Sequence, residues 1–273
     1  MLARASSVCG CDGEPREMTF SYTEPPAGET RFDLRGQSYR RHYERCSGCG
    51  HWYGVHDIDL SGLYGSDYIN ATYGDIEGVR RRFEQIMALP PERSDNRQRV
   101  ARILRFAASH GPNGGRVLDI GAGIGVFAAA MREAGWSPIG IELDPRSLEH
   151  LKQNVGIRAF NRDIFMLSQG DIGAFDLVTL IKVLEHVEDP APMLAQAATL
   201  LAPDGHVYIE VPDVAAQQDG PGREEFFIEH HHVFSARSLA ALIARAGGRT
   251  VELEGLREPS GKYTLRAFAA FHK

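Results

Sequence analysis

Three acidic residues accompany a glycine-rich segment. Asp119 lies two residues before the segment 121–125, which reads G-A-G-I-G. Glu142 follows 21 residues after Gly121, and Asp163 lies 21 residues further on. Glycines placed between a strand and a helix let a ligand approach the backbone at the helix amino terminus. Asp119 would repel a pyrophosphate but attract a ligand that carries an ammonium and a sulfonium. Glu142 could accept both ribose hydroxyls of an adenosine and Asp163 its amino group, so the pattern predicts an adenosine ligand with a cationic tail.

The cysteines form two close pairs within the first 49 residues. Two short pairs separated by a loop are typical of a tetrahedral zinc site. The main alternative is a metal-free lobe with free cysteines, and disulfides are less favoured because the cytoplasm is reducing. His51 or His56 could replace one cysteine ligand. Four thiolates leave no position for water, so the predicted zinc would be structural. The expected ligands are Cys9, Cys11, Cys46 and Cys49.

Histidines provide candidate bases in two segments, 184–190 and 226–235. A histidine is largely neutral at pH 7 and can accept a proton. We expect His230 to act as a base, Glu229 to orient either His230 or the substrate, and His186 to bind the acceptor on the opposite wall. A metal bound by the three adjacent histidines is disfavoured, because only the first and third share a face in an extended chain. The other alternative is that these histidines only anchor a loop.

Strands and helices must bring these residues together. From Arg116 onwards strands alternate with helices, which predicts an α/β fold with ligands at the carboxyl ends of parallel strands. Before Arg116 we expect short strands at 32–34 and 38–43 around a turn at Gly36, and then helices at 76–89 and from Ser94 to 110. Ser235 is the expected N-cap of a helix that ends at 246.

The second part of the chain resembles the class I S-adenosylmethionine-dependent methyltransferases. The resemblance runs from about residue 96 to 273 and includes VLDIGAGIG at 117–125, GIELDP at 140–145, NRDIF at 161–165, FDLVTLIKVLEHVEDP at 175–190 and LLAPDGHVYIEVPD at 200–213. It implies a seven-stranded, mostly parallel sheet with helices on both faces and an antiparallel carboxyl-terminal pair at 249–253 and 263–271.

The resemblance also implies which residues bind the cofactor. Residues of the glycine loop would hold the methionine end, Glu142 the ribose and Asp163 the adenine, while Lys182 opens the loop after the fourth strand. The implied cofactor residues are Asp119, Gly121, Ala122, Gly123, Gly125, Glu142, Leu143, Asp163, Ile164 and Lys182.

Residues 227–230 resemble more narrowly the bacterial sugar C-methyltransferases that act on nucleotide-linked 4-keto-deoxysugars. Those enzymes carry an amino-terminal four-cysteine zinc domain, and their Tyr-x-Glu-His motif corresponds to Phe227-Ile228-Glu229-His230 here. Phe227 replaces the tyrosine and removes a hydroxyl that would contact the substrate. Tyr68 and Asp213 are further candidates for binding substrate hydroxyls. The alternatives are an O- or N-methyltransferase of a quinone, lipid, natural product or polysaccharide sugar, and a non-catalytic zinc module.

Composition restricts the class of partner. The chain has 273 residues and a net charge of −6, and its only basic cluster is Arg80-Arg81-Arg82. Nucleic acid is therefore disfavoured as a substrate, and no apolar run is long enough to span a bilayer or act as a secretion signal. We expect a cytoplasmic monomer or homodimer with a small-molecule substrate that contains a sugar. The expected organisation is a zinc-binding lobe at 1–75, a helical connector at 76–110 and a methyltransferase domain at 111–273.

Overall fold

The computed structural model describes residues 8–11, 13–60, 75–111 and 114–271. The strands of a large, seven-stranded sheet are β4 (Arg116–Ile120), β5 (Ser137–Ile141), β6 (Arg158–Phe160), β7 (Phe175–Ile181), β8 (Leu201–Pro212), β10 (Gly248–Arg257) and β11 (Tyr263–Phe271). Their order in the sheet is β10-β11-β8-β7-β4-β5-β6. The strands are parallel except β11, which is antiparallel to both β8 and β10, so the predicted fold class and its antiparallel terminal pair are confirmed.

Helices accompany the strands, and their starts follow from capping residues. Ser94 and Ser235 accept hydrogen bonds from the backbone N–H groups of Arg97 and Ser238, as their sequence positions predict. The helices in the described residues are α1 (Ile76–Met87), α2 (Asp95–His110), α3 (Val126–Glu133), α4 (Pro145–His150, continued by a π turn at Leu151–Val155), α5 (Gln169–Ile172), α6 (Pro190–Thr199) and α7 (Ala236–Arg245). No helix in these ranges has the length and apolar character needed to cross a membrane.

The strands of a small antiparallel sheet are β1 (Arg16–Tyr22), β2 (Arg41–Cys46), β3 (Trp52–His56) and β9 (His232–Val233). They lie in the sheet in the order β1-β2-β3-β9. The last of these comes from the histidine-rich segment, more than 170 residues after β3, and pairs Val233 with Trp52. The small sheet is therefore completed by the part of the chain that carries the candidate base.

The strand predicted at 32–34 is wrong, whereas the second predicted strand lies slightly later, at Arg41–Cys46. The side chain of Asp33 accepts a hydrogen bond from the backbone N–H of Arg35, and Arg35 has a φ of 51°. This local turn bends the chain into the left-handed region, which an extended strand cannot contain.

Apolar side chains of the small sheet share a core with the second part of the chain. Tyr43 and Trp52 pack in one buried cluster with Phe226 and Val233. The helices α1 and α2 also pack onto the large-sheet region, through Phe83 beside Leu151 and through residues of α2 beside α3. The limits of the three predicted domains stay a prediction.

Candidate active site

The glycine loop connects β4 to α3 and borders open space. Gly123 has a φ of 52°, and a Cβ added there would meet no other heavy atom within 4 Å. At Gly125, with a φ of 78°, an added Cβ would lie 2.5 Å from Leu151 Cδ2. Gly123 therefore leaves room for a ligand against the backbone, whereas Gly125 is needed for packing.

Asp119 lies at the buried start of this loop. It is 3% exposed, and its Oδ1 accepts a hydrogen bond of 2.7 Å from Thr179 Oγ1. Burial raises the pKa of the Asp119 carboxyl to about 7. Thr179 was not identified from the sequence, since a threonine inside an apolar strand pattern gives no signal of a polar contact.

Glu142 follows β5 and joins two loops. Its Oε2 accepts from the Gly123 N–H at 2.7 Å and its Oε1 from the Asp144 N–H at 2.8 Å. Asn161 holds the same segment, because its side-chain amide donates to the carbonyls of Glu142 and Leu143. The carboxylate expected to bind ribose thus lies against the glycine loop, and Asn161 positions it.

The segment after β6 presents a carboxylate and apolar surface. Asp163 is exposed, and its Oδ1 accepts from the Phe165 N–H at 3.0 Å. The side chain of Ile164 is 3% exposed, so only its backbone is available to a ligand, whereas Phe165 and Leu143 are 51% and 65% exposed. These two exposed side chains are apolar surfaces on which an adenine ring could lie.

A polar cavity of about 210 Å³, here called the histidine cavity, lies beside the ends of β7 and β8. Five of the predicted residues line it, together with acidic and basic residues that the sequence analysis did not select. The lining residues are Lys182, Glu185, His186, Pro212, Glu224, Glu225, Phe227, Glu229, His230, Lys262 and Tyr263.

Asp213 and Tyr68 are the remaining predicted substrate residues. Asp213 does not line the histidine cavity, and its Oδ1 accepts from the Ala215 N–H at 2.9 Å, so it caps the turn at Val214–Asp219. Tyr68 lies outside the described residues.

His186 and His230 are neighbours in the cavity, with ring centroids 4.9 Å apart, and do not stand on opposite walls as expected. The Nδ1 of His186 lies 3.0 Å from the Glu229 carbonyl oxygen, and the Nδ1 of His230 lies 3.0 Å from that of Glu225. A carbonyl only accepts, so each neutral ring carries its proton on Nδ1 and leaves the Nε2 lone pair free. Burial lowers the pKa of His186 to about 4 and that of His230 well below its ordinary value. Both rings are therefore neutral near pH 7.

The carboxylates of the cavity are buried. Glu229 is 7% exposed, and burial raises its pKa to about 7. The His230 ring is held by the Glu225 carbonyl. Of the two roles expected for Glu229, to orient His230 or to orient the substrate, its position in the cavity therefore favours the substrate. Glu185 is 1% exposed, burial raises its pKa to about 7, and its Oε2 has no hydrogen-bond partner within the part of the chain that the structure describes. Glu185 was not selected from the sequence, although it directly precedes His186.

Lys182 also belongs to this cavity. It has a φ of 57°, and its Nζ donates to Thr264 Oγ1 at 2.7 Å. The desolvation of the ammonium lowers the pKa of Lys182. Its side chain is thus directed towards β11, and any contact with a cofactor in the glycine loop would come from its backbone.

The segment before β9 is held by the small sheet. The Tyr43 hydroxyl lies 2.9 Å from the His230 carbonyl oxygen and 3.1 Å from that of Phe227. Arg41 Nη1 donates to the Phe226 carbonyl at 2.7 Å, and the Ile228 N–H donates to a carboxylate oxygen of Glu29 at 2.7 Å. These contacts fix the backbone on both sides of Glu229.

The four cysteines converge at the other end of the small sheet. Their sulfur atoms all lie within 4.8 Å of one another, and the Cys9 and Cys46 sulfurs are 3.8 Å apart. His51 is not part of this cluster, because its Nδ1 lies 2.9 Å from Ser238 Oγ and its Nε2 3.2 Å from His232 Nδ1. His56 is also outside the cluster. The candidate metal ligands are therefore the four thiols.

Comparisons with known proteins address the region around the glycine loop and the histidine cavity. A family model described as a methyltransferase domain matches residues 93–253, more than half of the chain. The ubiquinone biosynthesis O-methyltransferase of Ralstonia nicotianae is 36% identical over 100 residues, which cover 35% of this chain and 42% of that protein. The corresponding protein of Actinobacillus pleuropneumoniae is 31% identical over 163 residues, 56% of this chain and 65% of that protein. The chain thus matches less than two thirds of the length of these relatives.

Solved structures show the same architecture. Magnesium protoporphyrin IX methyltransferase from Synechocystis, with bound SAH, superposes with a TM-score of 0.56 at 17% identity over 76% of this chain and 97% of that one. The 1,6-didemethyltoxoflavin-N1-methyltransferase of Burkholderia thailandensis gives 0.53 at 21% identity over 82% and 96%. These identities establish a shared fold. By its sequence match and its seven-stranded sheet, the chain belongs to the methyltransferase-domain family and has the class I fold of S-adenosylmethionine-dependent enzymes.

Proposed function

We propose that the protein transfers a methyl group from S-adenosylmethionine to a small polar acceptor in the histidine cavity. The observation that carries this proposal is the pair of half-buried, neutral histidines whose Nδ1 atoms are both held by carbonyls. A base of this kind, next to a loop that fits the cofactor, suits an acceptor that loses a proton as it is methylated.

The residues around the glycine loop fit the cofactor. The open space at Gly123 accommodates a ligand against the backbone, and buried Asp119 provides a negative charge for the ammonium of the methionine end. We assign Glu142 to the ribose and Asp163 to the adenine, with Leu143 beside them. When bound, S-adenosylmethionine supplies an electrophilic methyl carbon on its sulfonium.

In the proposed reaction His230 removes the proton of the acceptor. Its Nε2 lone pair takes the proton, the acceptor atom bonds to the methyl carbon, and the carbon–sulfur bond breaks to leave a neutral thioether. Glu229 contacts the acceptor through its carboxyl, and His186 binds it beside His230. The enzyme contributes alignment and exclusion of water from the cavity.

A hydroxyl is the first candidate for the acceptor atom, because the curated relatives named above are O-methyltransferases. A carbon next to the ketone of a nucleotide-linked deoxysugar is the second. It is favoured by the position of Phe227, Glu229 and His230 on one cavity in a chain that also carries a four-cysteine cluster. None of the relatives named above is a sugar C-methyltransferase, so the sugar rests on the motif, its cavity and the cysteine cluster.

We also propose that the four cysteines bind a structural zinc ion. A zinc–sulfur bond of about 2.3 Å in tetrahedral geometry separates the sulfurs by about 3.8 Å, which agrees with the 3.8 Å between Cys9 and Cys46. A disulfide would need about 2 Å. A cytoplasmic location and a monomeric or homodimeric state stay predictions from the sequence.

The experiment that tests the function uses S-adenosylmethionine with a labelled methyl group and a panel of catechols, hydroxyquinones and nucleotide-linked keto-sugars. Mass spectrometry and NMR of the products identify the acceptor and distinguish an O-methyl from a C-methyl group. We expect His230→Asn to reduce turnover by about 10²-fold with little change in cofactor affinity. Near wild-type turnover in His230→Asn would show that the base lies elsewhere.

A further inference from the structure

The histidine cavity contains a second set of potential metal ligands, separate from the four cysteines. Glu185, His186 and His230 each offer one ligand atom, and these three atoms lie within 4.8 Å of one another. We propose that these residues bind a divalent transition-metal ion, which in turn binds an acceptor through two neighbouring oxygen atoms. The role given to the acceptor rests on the proposed function, whereas metal binding itself does not.

The geometry is close to what such an ion requires. Bonds of about 2.1 Å from a metal to nitrogen and oxygen place the ligand atoms about 3.0 to 3.4 Å apart in octahedral or tetrahedral geometry. Small side-chain rotations bring three atoms that lie within 4.8 Å to this spacing. Two imidazoles and one carboxylate form a donor set that suits iron, zinc, nickel or cobalt rather than magnesium or calcium.

The hydrogen bonds of both histidines favour metal binding through Nε2. The Nδ1 atoms of His186 and His230 are held by the carbonyls of Glu229 and Glu225, each at 3.0 Å. Metal-binding histidines characteristically donate the other ring N–H to a carbonyl or carboxylate, which fixes the tautomer and the orientation of the ring. Each ring therefore already has the outer contact that a ligand needs.

Glu185 provides an independent observation. Its side chain lines the cavity and is 1% exposed, and its Oε2 has no hydrogen-bond partner among the described residues. A buried carboxylate oxygen without a partner is costly and requires an explanation. Lys182 is the cation that interacts most strongly with the charge of Glu185, but its Nζ donates to Thr264 Oγ1. A cation between Glu185 and the two imidazoles would remove this penalty.

The ion would define the class of acceptor. Three protein ligands leave open coordination positions, and these would face the cavity. A catechol, an α-hydroxy ketone or a vicinal diol could occupy two of them through adjacent oxygens. Binding to a divalent ion lowers the pKa of a hydroxyl. The hydroxyl proton would then leave to Glu229 or water, the oxygen would bond to the methyl carbon, and the carbon–sulfur bond would break. In this form of the reaction His230 acts as a ligand of the ion and not as the base. The ion would make the hydroxyl acidic enough for Glu229 or water to accept its proton.

Titration with Co²⁺ tests the proposal without measuring turnover. Tag-free protein is first loaded with one equivalent of Zn²⁺ to fill the cysteine cluster, and Co²⁺ is then added while the visible spectrum is recorded. We expect one Co²⁺ per chain with weak d–d absorption and no thiolate charge-transfer band. Glu185→Gln and His186→Asn should each weaken Co²⁺ binding by about 10²-fold or more, while the matched control Glu224→Gln should bind like wild type.

Three results would overturn the metal site: no Co²⁺ bound beyond the cysteine cluster, equal binding in both ligand variants, or equal loss in Glu224→Gln. Calorimetry with S-adenosylhomocysteine on the same samples separates this outcome from a failure of the proposed function. Wild-type cofactor binding without Co²⁺ binding would refute the ion and leave the methyltransferase proposal intact. Co²⁺ binding without binding of S-adenosylhomocysteine would support the metal site and refute the methyltransferase proposal.

Discussion

The pKa of Asp119 leads to a quantitative prediction for cofactor binding. Its carboxyl is buried and has a pKa of about 7 in the absence of ligand. A carboxylate that binds a cationic ligand must be ionised, and with this pKa about one tenth of the molecules are ionised at pH 6 and about nine tenths at pH 8. We therefore expect the affinity for S-adenosylhomocysteine to rise about tenfold between pH 6 and pH 8.

Calorimetry in two buffers of different ionisation enthalpy measures both the affinity and the protons released. At pH 6 binding should release about 0.9 proton, because the ligand draws Asp119 into its ionised form. Asp119→Asn should bind more weakly at pH 8 and show little change with pH. Glu142→Gln is the matched control, since its pKa is also raised by burial, and it should keep most of the pH dependence. A flat affinity and no proton release in the wild type would refute the role assigned to Asp119.

Four further outcomes follow from the described contacts. Without ligand, the contribution of Asp119 to stability should fall between about pH 4 and pH 7, because folded Asp119 retains a proton that the unfolded chain has lost, whereas histidines with lowered pKa values contribute in the opposite direction. Asp119→Asn should therefore have a higher melting temperature than wild type at pH 8, and calorimetric scans at pH 4.5 and 8 check this. Gly123→Val should abolish S-adenosylhomocysteine binding while circular dichroism shows a folded protein, and unchanged affinity would contradict the assignment of the loop. Cys46→Ser should lose one zinc per chain by elemental analysis and lower the melting temperature, whereas equal zinc in both proteins would count against the cysteine site. Tyr43→Phe removes the hydroxyl held near the Phe227 and His230 carbonyls and should lower the free energy of unfolding by about 1 kcal/mol. Turnover should fall about tenfold while cofactor affinity stays unchanged. Equal turnover in both proteins would show that the loop does not depend on this contact.

The parts of the fold predicted correctly are those set by local sequence. Ser235 indicates a helix start through its side chain, and the residues that follow keep a helical apolar pattern, so α7 could be located from the sequence. The apolar run before the glycine loop likewise locates β4. These signals depend only on neighbours in the chain, which is why they can be recognised without a structure.

Other features depend on distant contacts. The pairing of Val233 with Trp52 and the position of His230 beside Glu185 and His186 both join segments far apart in the chain. Asp213 follows a strand and is therefore a candidate for binding a substrate hydroxyl, and one of its carboxylate oxygens caps a turn. Spacing can show that a residue lies at the correct edge of the sheet, but it cannot show whether the side chain points to the ligand or to its own backbone.

The pairing of β9 with β3 has a consequence for the design of chimeric enzymes. The cavity segment contributes backbone hydrogen bonds to the small sheet, while Tyr43 and Arg41 hold it from the other side. A graft of residues 224–234 from another methyltransferase would lose these partners unless the amino-terminal region were transferred with it. The two segments form one exchangeable cassette, and recombination breakpoints that keep them together should yield active hybrids more often than breakpoints that separate them.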